Sequence, residues 1–463
     1  MRLMVSTLIL VATAANPPKV LAAQQEKGEM DEARRLLVEA SHLVREIPEF
    51  QRSSAAANIA GQLVRAADLP DALATARLLP KAEDQAQATG SIAWELAHNG
   101  NLALALALVE RTADGQNKGV EYEGLAELSA DTDNLEEALQ IAHRIRSDPG
   151  RLVDTLVRLA SRAAKSGNLS GAREALGDAL QVTEEALKEN VGYATGLTQI
   201  ATTQAEIGDT ADAFITLDRF SAIADRYKGA GGNGMFLPEL SCAQAQVGDL
   251  VGAQRTIEEI PAGTGTSDLA LMCLSREQAK HSLLMEALDN AARISSPAFK
   301  GNALQEIGMI RGTRGALNEV LKAIDHISQP NDRAEALATL ALEQAENEDP
   351  AAGSTLQMAW NLATEIGKDA SDNILGTIAV TRALLGEFAS ARQIVQDMTK
   401  PEARVWPLWN ITSFMVRAGH RQEALALAES QEAAYPKAYA LLGTAQGILN
   451  HIEAEEKART IKN

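Results

Sequence analysis

The residues of this 463-residue chain with the types and spacing for chemistry are few: one glycine-rich run, seven histidines and two cysteines. Gly229-Ala230-Gly231-Gly232-Asn233-Gly234 has the G-x-G-x-x-G spacing with which backbone amides cradle a pyrophosphate. That chemistry needs a strand before the glycines and a helix after them. Here the run follows a helical pattern, with no βαβ unit around it, so it reads as a flexible connection. His42, His98, His143, His281, His326, His420 and His451 are scattered, and no two stand i, i+4 as metal ligands on one helix face would. No nucleophile-elbow, zincin, Walker or EF-hand pattern is present. The expectation is a chain without catalytic residues, metal ligands or a cofactor.

Cys242 and Cys273 fall on helices of neighbouring repeats, six and nine residues before their turns. In an oxidising compartment they could pair; the unequal positions favour two separate buried thiols. A basic residue recurs fifteen positions before the turn, as Arg52, Lys118, Lys300, Arg333 and Arg404. The structural reading is a cation on the last carbonyls of the preceding helix. The alternative is a ladder for an anionic partner.

The elements that position these residues follow from a recurring phrase. A bulky aliphatic residue and Ala are followed by a Gly seven residues on, then Asp or Asn, then Ala five past the Gly. Clear copies are Leu159-Ala160 with Gly167-Asn168 and Ala172, Ile200-Ala201 with Gly208-Asp209 and Ala213, and Ile378-Ala379 with Gly386-Glu387 and Ala391. Turn anchors fall at Gly28, Ala67, Gly100, Asp133, Gly167, Gly208, Gly248, Ser282, Gly315, Glu348, Gly386 and Gly419, and seven of the eleven intervals are 33 or 34 residues. The Gly can take positive φ at the end of a first helix. Asn101, Asn134, Asn168, Asp209 and Asp249 are placed to cap the second helix. The Ala five past the turn suits the crossing of the two helices, where a large side chain would hold them apart. A fixed period of this length predicts an all-α, right-handed α-solenoid of about twelve antiparallel helix pairs. Hydrophobic residues make up 46% of the chain but aromatics only 3%, an Ala- and Leu-rich balance that favours helices over sheets.

The period, the aliphatic–small pair, the Gly-Asp/Asn turn and the following Ala resemble tetratricopeptide repeats over nearly the whole chain. The bulky Trp and Tyr of that family's first helix are mostly Ala, Gln or Leu here, and its closing Pro is shifted or absent. The resemblance implies first helices lining a concave face that holds a protein or peptide. Carried onto this sequence, it places Trp406 and Trp409 at groove-facing positions of the last full repeat, with Arg417 further along. An i, i+3 Trp pair beside Arg would make a peptide anchor. The competing reading packs both tryptophans beneath a C-terminal cap, a helix over about 436–463.

Residues 1–22 read as a signal peptide. Arg2 precedes the apolar run Leu3–Val11, with cleavage after Ala14 or Ala22. Asn16-Pro17-Pro18 argues against the alternative, a first helix of the solenoid. The mature 23–463 region is expected in a periplasm or outside the cell, with a bacterial host as the guess. A net charge of −19 argues against nucleic acid and against anionic membranes. No later stretch is long and apolar enough to insert in a bilayer. The sequence thus points to an exported, non-catalytic scaffold. An enzyme or small-molecule site in the groove, and a self-associating structural repeat, are the rival readings; oligomeric state is left open.

Overall fold

The structure, a computed structural model, describes residues 17–112, 116–131, 134–227, 236–311, 314–325, 327 and 329–462. Every regular element among them is helical. In chain order the α-helices are α1 (Pro17–Leu43), α2 (Glu49–Arg65), α3 (Leu69–Ala76), α4 (Ala82–His98), α5 (Leu102–Glu110), α6 (Gln116–Asp131), α7 (Leu135–Ala142) and α8 (Pro149–Lys165). There follow α9 (Leu169–Leu187), α10 (Thr195–Glu206), α11 (Thr210–Tyr227), α12 (Phe236–Gln246), α13 (Leu250–Glu258), α14 (Gly265–Lys280), α15 (Leu284–Arg293) and α16 (Pro297–Arg311). The last are α17 (Arg314–Asp325), α18 (Pro330–Glu346), α19 (Ala352–Ile366), α20 (Asp372–Leu384), α21 (Phe388–Asp397), α22 (Val405–Arg417), α23 (Arg421–Glu429) and α24 (Ala434–Lys462). From α2 to α23 they form helical hairpins, the even-numbered helix first. Two compact units divide the chain: residues 1–95 with 386–463, and residues 96–385.

The turns are built as the repeat phrase predicts. Gly100, Gly167, Gly208, Gly248, Gly386 and Gly419 have φ between 81° and 94°. Ala67, Ser282 and Glu348 hold the same left-handed region without being glycine, at 57°, 71° and 56°. In eight hairpins the next amide reaches back five residues, as Asn168 N does to Ala163 O at 2.8 Å, closing the Schellman loop that satisfies the first helix's last carbonyls. Asn134, Asn168 and Asp249 accept the amides of Glu137, Gly171 and Gly252 as helix caps. Asn101 makes no side-chain cap, and Asp209 instead takes a two-bond contact from Arg173 at 2.7 Å.

All ten alanines five past the predicted anchors, Ala33 to Ala424, are fully buried. The helices cross there at the distance a methyl permits. A polar lock the phrase does not contain lies beside them. Gln204, Gln244 and Gln278, each four before its turn, accept from Thr216, Thr256 and Asn290 at 2.7–2.9 Å. The buried hydroxyl or amide of the second helix is thereby satisfied by its own hairpin.

Three expectations are corrected. Gly28 is no turn: α1 runs through it, and Glu29 and Glu32 are both held by Arg421. Gly315 lies inside α17, which already begins at Arg314, so Gly315 is not the turn. Asp133, Gly229–Gly234 and residues 1–16 of the expected signal peptide lie outside the described residues. Cys242 and Cys273 are not separate thiols but a disulfide with Cα atoms 5.3 Å apart, joining α12 to α14. Neighbouring first helices are staggered by one turn, which brings unequal positions level.

In the unit formed by residues 1–95 and 386–463, the chain's two ends meet. The terminal helix α24 packs along α1 as a first helix packs along its second. Helix α1 thus finds its hairpin partner at the other end of the chain. Arg459 reaches Glu26 at 2.7 Å, Lys437 reaches Glu39 at 3.9 Å, and Asn58 Nδ2 on α2 donates to the Tyr439 hydroxyl at 2.8 Å.

Candidate partner-binding surface

Pro401 opens a 3-10 turn, Pro401–Arg404, ahead of α22. Arg404 bends back so that Nε and Nη2 donate to Met398 O at 3.2 and 2.6 Å, with a further bond to Gln396 O. Arg52 does the same to Ile47 O and Arg45 O before α2, and Lys118 Nζ reaches Glu110 O at 3.4 Å. At these three positions the recurring basic residue caps the preceding helix end, as its structural reading required.

The two tryptophans of α22 part company. Trp406 is 44% exposed. Trp409 is half-buried: its Nε1 donates to Gln446 Oε1, and its ring meets Tyr439 edge-on with centroids 5.7 Å apart. The helices touch closely here because α24 carries glycines. A methyl on Gly443 would lie 2.1 Å from Trp409 O, and one on Gly447 2.9 Å from Ser413 O. Arg417 is exposed at the far end of α22, its guanidinium 5.9 Å from the Phe414 ring centroid. Trp406 and Arg417 therefore stay accessible, while Trp409 braces the cap. Burial, with Tyr435 adding to it, pushes the Tyr439 hydroxyl well above the usual tyrosine range. It stays a neutral hydrogen-bond partner for Asn58.

In residues 96–385 the first helices α6 to α20 lie side by side in a row. Between α6 and α8 the contact is an alternating ladder. Arg151 pairs with Glu123 at 2.7 Å, Arg158 with Glu127 at 2.6 Å and Arg162 with Glu127 at 2.8 Å. Arg158 also holds Glu123, and Arg162 also holds Asp131. These charges neutralise one another and leave no unbalanced patch.

Two carboxylates escaped the sequence reading altogether. Glu95 is 7% and Glu121 9% exposed, and burial pushes each up to about 7. Arg65 pulls Glu95 down and Glu453 pushes it up; the Thr112 hydrogen bond and Lys118 pull Glu121 down. Both sit on apolar first-helix faces, where only the fold shows that they are buried. His143 Nε2 stands 3.0 Å from Asp178 Oδ2 beside a surface depression of about 420 Å3. The depression's lining includes Glu185 and Glu189 but no hydroxyl, thiol or amine nucleophile. Among the described residues no group of three His, Cys, Asp or Glu could hold a metal ion, and no helix is long and apolar enough to cross a membrane.

No protein-family model matches the chain, and no curated protein matches it. Solved structures do. Ton1535 from Thermococcus onnurineus NA1 is 16% identical over 82% of this chain and 96% of its own, with a TM-score of 0.28. Naa15, in a complex of Naa15/Naa10 bound to HypK-THB, is 14% identical over 88% of this chain and 65% of its own, with a TM-score of 0.28. A circular tandem repeat protein with novel repeat topology is 14% identical over 94% of this chain and all of its own, with a TM-score of 0.19.

Proposed function

We propose that this protein is an exported, non-catalytic scaffold that binds a protein or peptide along the face made by its first helices. The observation that carries the reading is the row of first helices. Each repeat adds one helix to the row, so side chains from many repeats face one extended ligand. Such a surface binds through many weak contacts on a preorganised frame. In the other unit, residues 1–95 with 386–463, the accessible aromatic anchor is Trp406 and the cation Arg417, on the first helix of the last hairpin. The Cys242–Cys273 disulfide suits an oxidising compartment, in keeping with Arg2, Leu3–Val11 and Ala22 as an export signal. The tetratricopeptide-like character rests on the repeat phrase.

The test is capture of a partner from cell-envelope extract by the mature chain, compared with Trp406→Ala. Trp406 is exposed, so its removal leaves the thermal midpoint in place. A partner held by the wild type and lost by Trp406→Ala at equal stability is the expected result. A partner bound equally by both moves the anchor elsewhere. Repeated failure to capture any protein sinks the scaffold reading.

A further inference from the structure

Arg65, the last residue of α2, is the cation at the joint between the chain's two ends, and both of its Nη2 donors are engaged by α24. Nη1 donates to Gln62 Oε1 at 3.0 Å, and Nη2 donates to Asn450 Oδ1 at 2.9 Å and Glu453 Oε1 at 2.6 Å, both on α24. A second carboxylate lies behind it. Glu95 on α4 enters where α2 carries Gly61: a methyl there would stand 3.4 Å from Glu95 Cγ. Glu95 is 7% exposed, and its Oε2 has no hydrogen-bond partner. The groups facing it are Gly61 and Arg65 from α2, Glu453 from α24 and Ser91 on its own helix. One arginine therefore serves two acids, and the buried one has no cation of its own. A buried charge left so is costly, and its carboxyl is held neutral instead. One turn further along α24 a second acid pair repeats the arrangement. Glu456 lies against Glu26 of α1, whose partner Arg459 is shared with Glu455. Burial and Glu26 both push Glu456 up.

We propose that this joint is a proton-set clasp: with Glu95 neutral, α1 and α2 stay seated on α24, and ionisation of Glu95 releases them. The ionised group needs either water or Arg65. Parting α24 from α2 supplies both: it lets water in, and it takes away Glu453, which shares the single Arg65 charge and repels an ionised Glu95. The clasp is therefore closed in mild acid and loosens above neutrality. This is independent of what the first-helix face binds.

Amide hydrogen exchange of α1 and α24 in the full chain, at pH 5.5 and 8.0 and corrected for intrinsic rates, tests it. In the wild type the opening of both helices is expected to rise about ten-fold or more between the two pH values. Glu95→Gln holds the pH 5.5 protection at pH 8.0. Glu453→Gln frees Arg65 for Glu95 and flattens the rise without abolishing protection at pH 5.5. Glu121→Gln, the other buried acid, leaves the rise in α1 and α24 intact. Protection that does not change with pH overturns the proposal. So does a rise that survives Glu95→Gln, or one that Glu121→Gln removes equally.

Discussion

Cys242 precedes Cys273 by 31 residues, although their turns, Gly248 and Ser282, are 34 apart. Glu127 and Arg158 are also 31 apart, and they meet at 2.6 Å between α6 and α8. One contact offset between neighbouring first helices is thus the repeat length less three; Arg162 and Glu127 meet at another, 35. Three residues are about one helical turn, so the partner stays on the facing side. The disulfide needs no special geometry, since it occupies the position an ion pair takes elsewhere. Purified chain, denatured without reductant, is expected to show no free thiol. Replacing both cysteines by Ala should lower the unfolding free energy by about 3.5–4 kcal/mol, the figure for releasing a loop of this length. Two titratable thiols in the unreduced, oxidatively folded protein would contradict the pairing.

The Gln–Thr lock inside the hairpins predicts a double-mutant signature. Thr256→Val removes the hydroxyl that donates to Gln244 Oε1 at 2.7 Å and leaves that oxygen of a half-buried side chain without its partner. The cost expected in urea unfolding is about 1–3 kcal/mol. Gln244→Met on top of it removes the orphan and recovers most of the loss. Additive losses from the two changes would show that the bond contributes nothing of its own.

Three turns carry a side chain where the backbone wants none. Ala67, Ser282 and Glu348 sit at φ of 57°, 71° and 56°, a conformation costing an L-residue roughly 1 kcal/mol or more. Their carbonyl loops are intact, with Asp68, Leu283 and Asp349 N each bonded back at 2.7–2.9 Å. Gly at each position should therefore stabilise the chain by about 0.5–1 kcal/mol, read as a rise in thermal midpoint. Ala at Gly167 or Gly248 should do the reverse. A loss of stability in Ser282→Gly would show that its side chain has a role beyond the turn.

These turns also show how far the sequence could be read. Gly, Asn and Ala at fixed intervals report local chemistry: a positive φ, a cap, a close crossing. Each is decided within one hairpin, and Ala172, Ala213 and Ala391 lie buried where the phrase put them. Gly28 failed because a glycine alone does not decide a turn, and the helix continues through it even though Gly386 and Gly419 turn with no side-chain cap after them. The pairing of α1 with α24 was out of reach for a different reason. It joins residues nearly four hundred apart, such as Lys437 and Glu39, and no periodic signal crosses that interval. At the candidate site, the spacing of Trp406 and Trp409 was legible but their division of labour was not. Gly443 and Gly447, which let α24 come close enough to take Trp409, act from another helix.

Glu121 gives the pH dependence expected of residues 96–385. It is 9% exposed, its Oε1 has no partner, and Thr112 Oγ1 reaches its Oε2 only at 3.5 Å. Burial raises its carboxyl to about 7. Unfolded, the same group returns to the ordinary glutamate range near 4.3. Between about pH 5 and 7 the folded chain therefore keeps a proton that the unfolded chain has lost. Stability rises with pH only where the unfolded state binds more protons; here it binds fewer, so stability falls as pH rises through this window. The loss at pH 8 relative to pH 5 is about 2–3 kcal/mol from this residue, conformational relaxation taking the lower figure. Glu121→Gln holds the neutral form at every pH. It should remove that slope and leave the variant more stable than the wild type at pH 8, with little difference at pH 5. Urea unfolding followed across pH 5–8 reads both. A wild-type stability that climbs through this range would mean Glu121 is ionised in the folded chain and served by Lys118, the cation nearest it on α6.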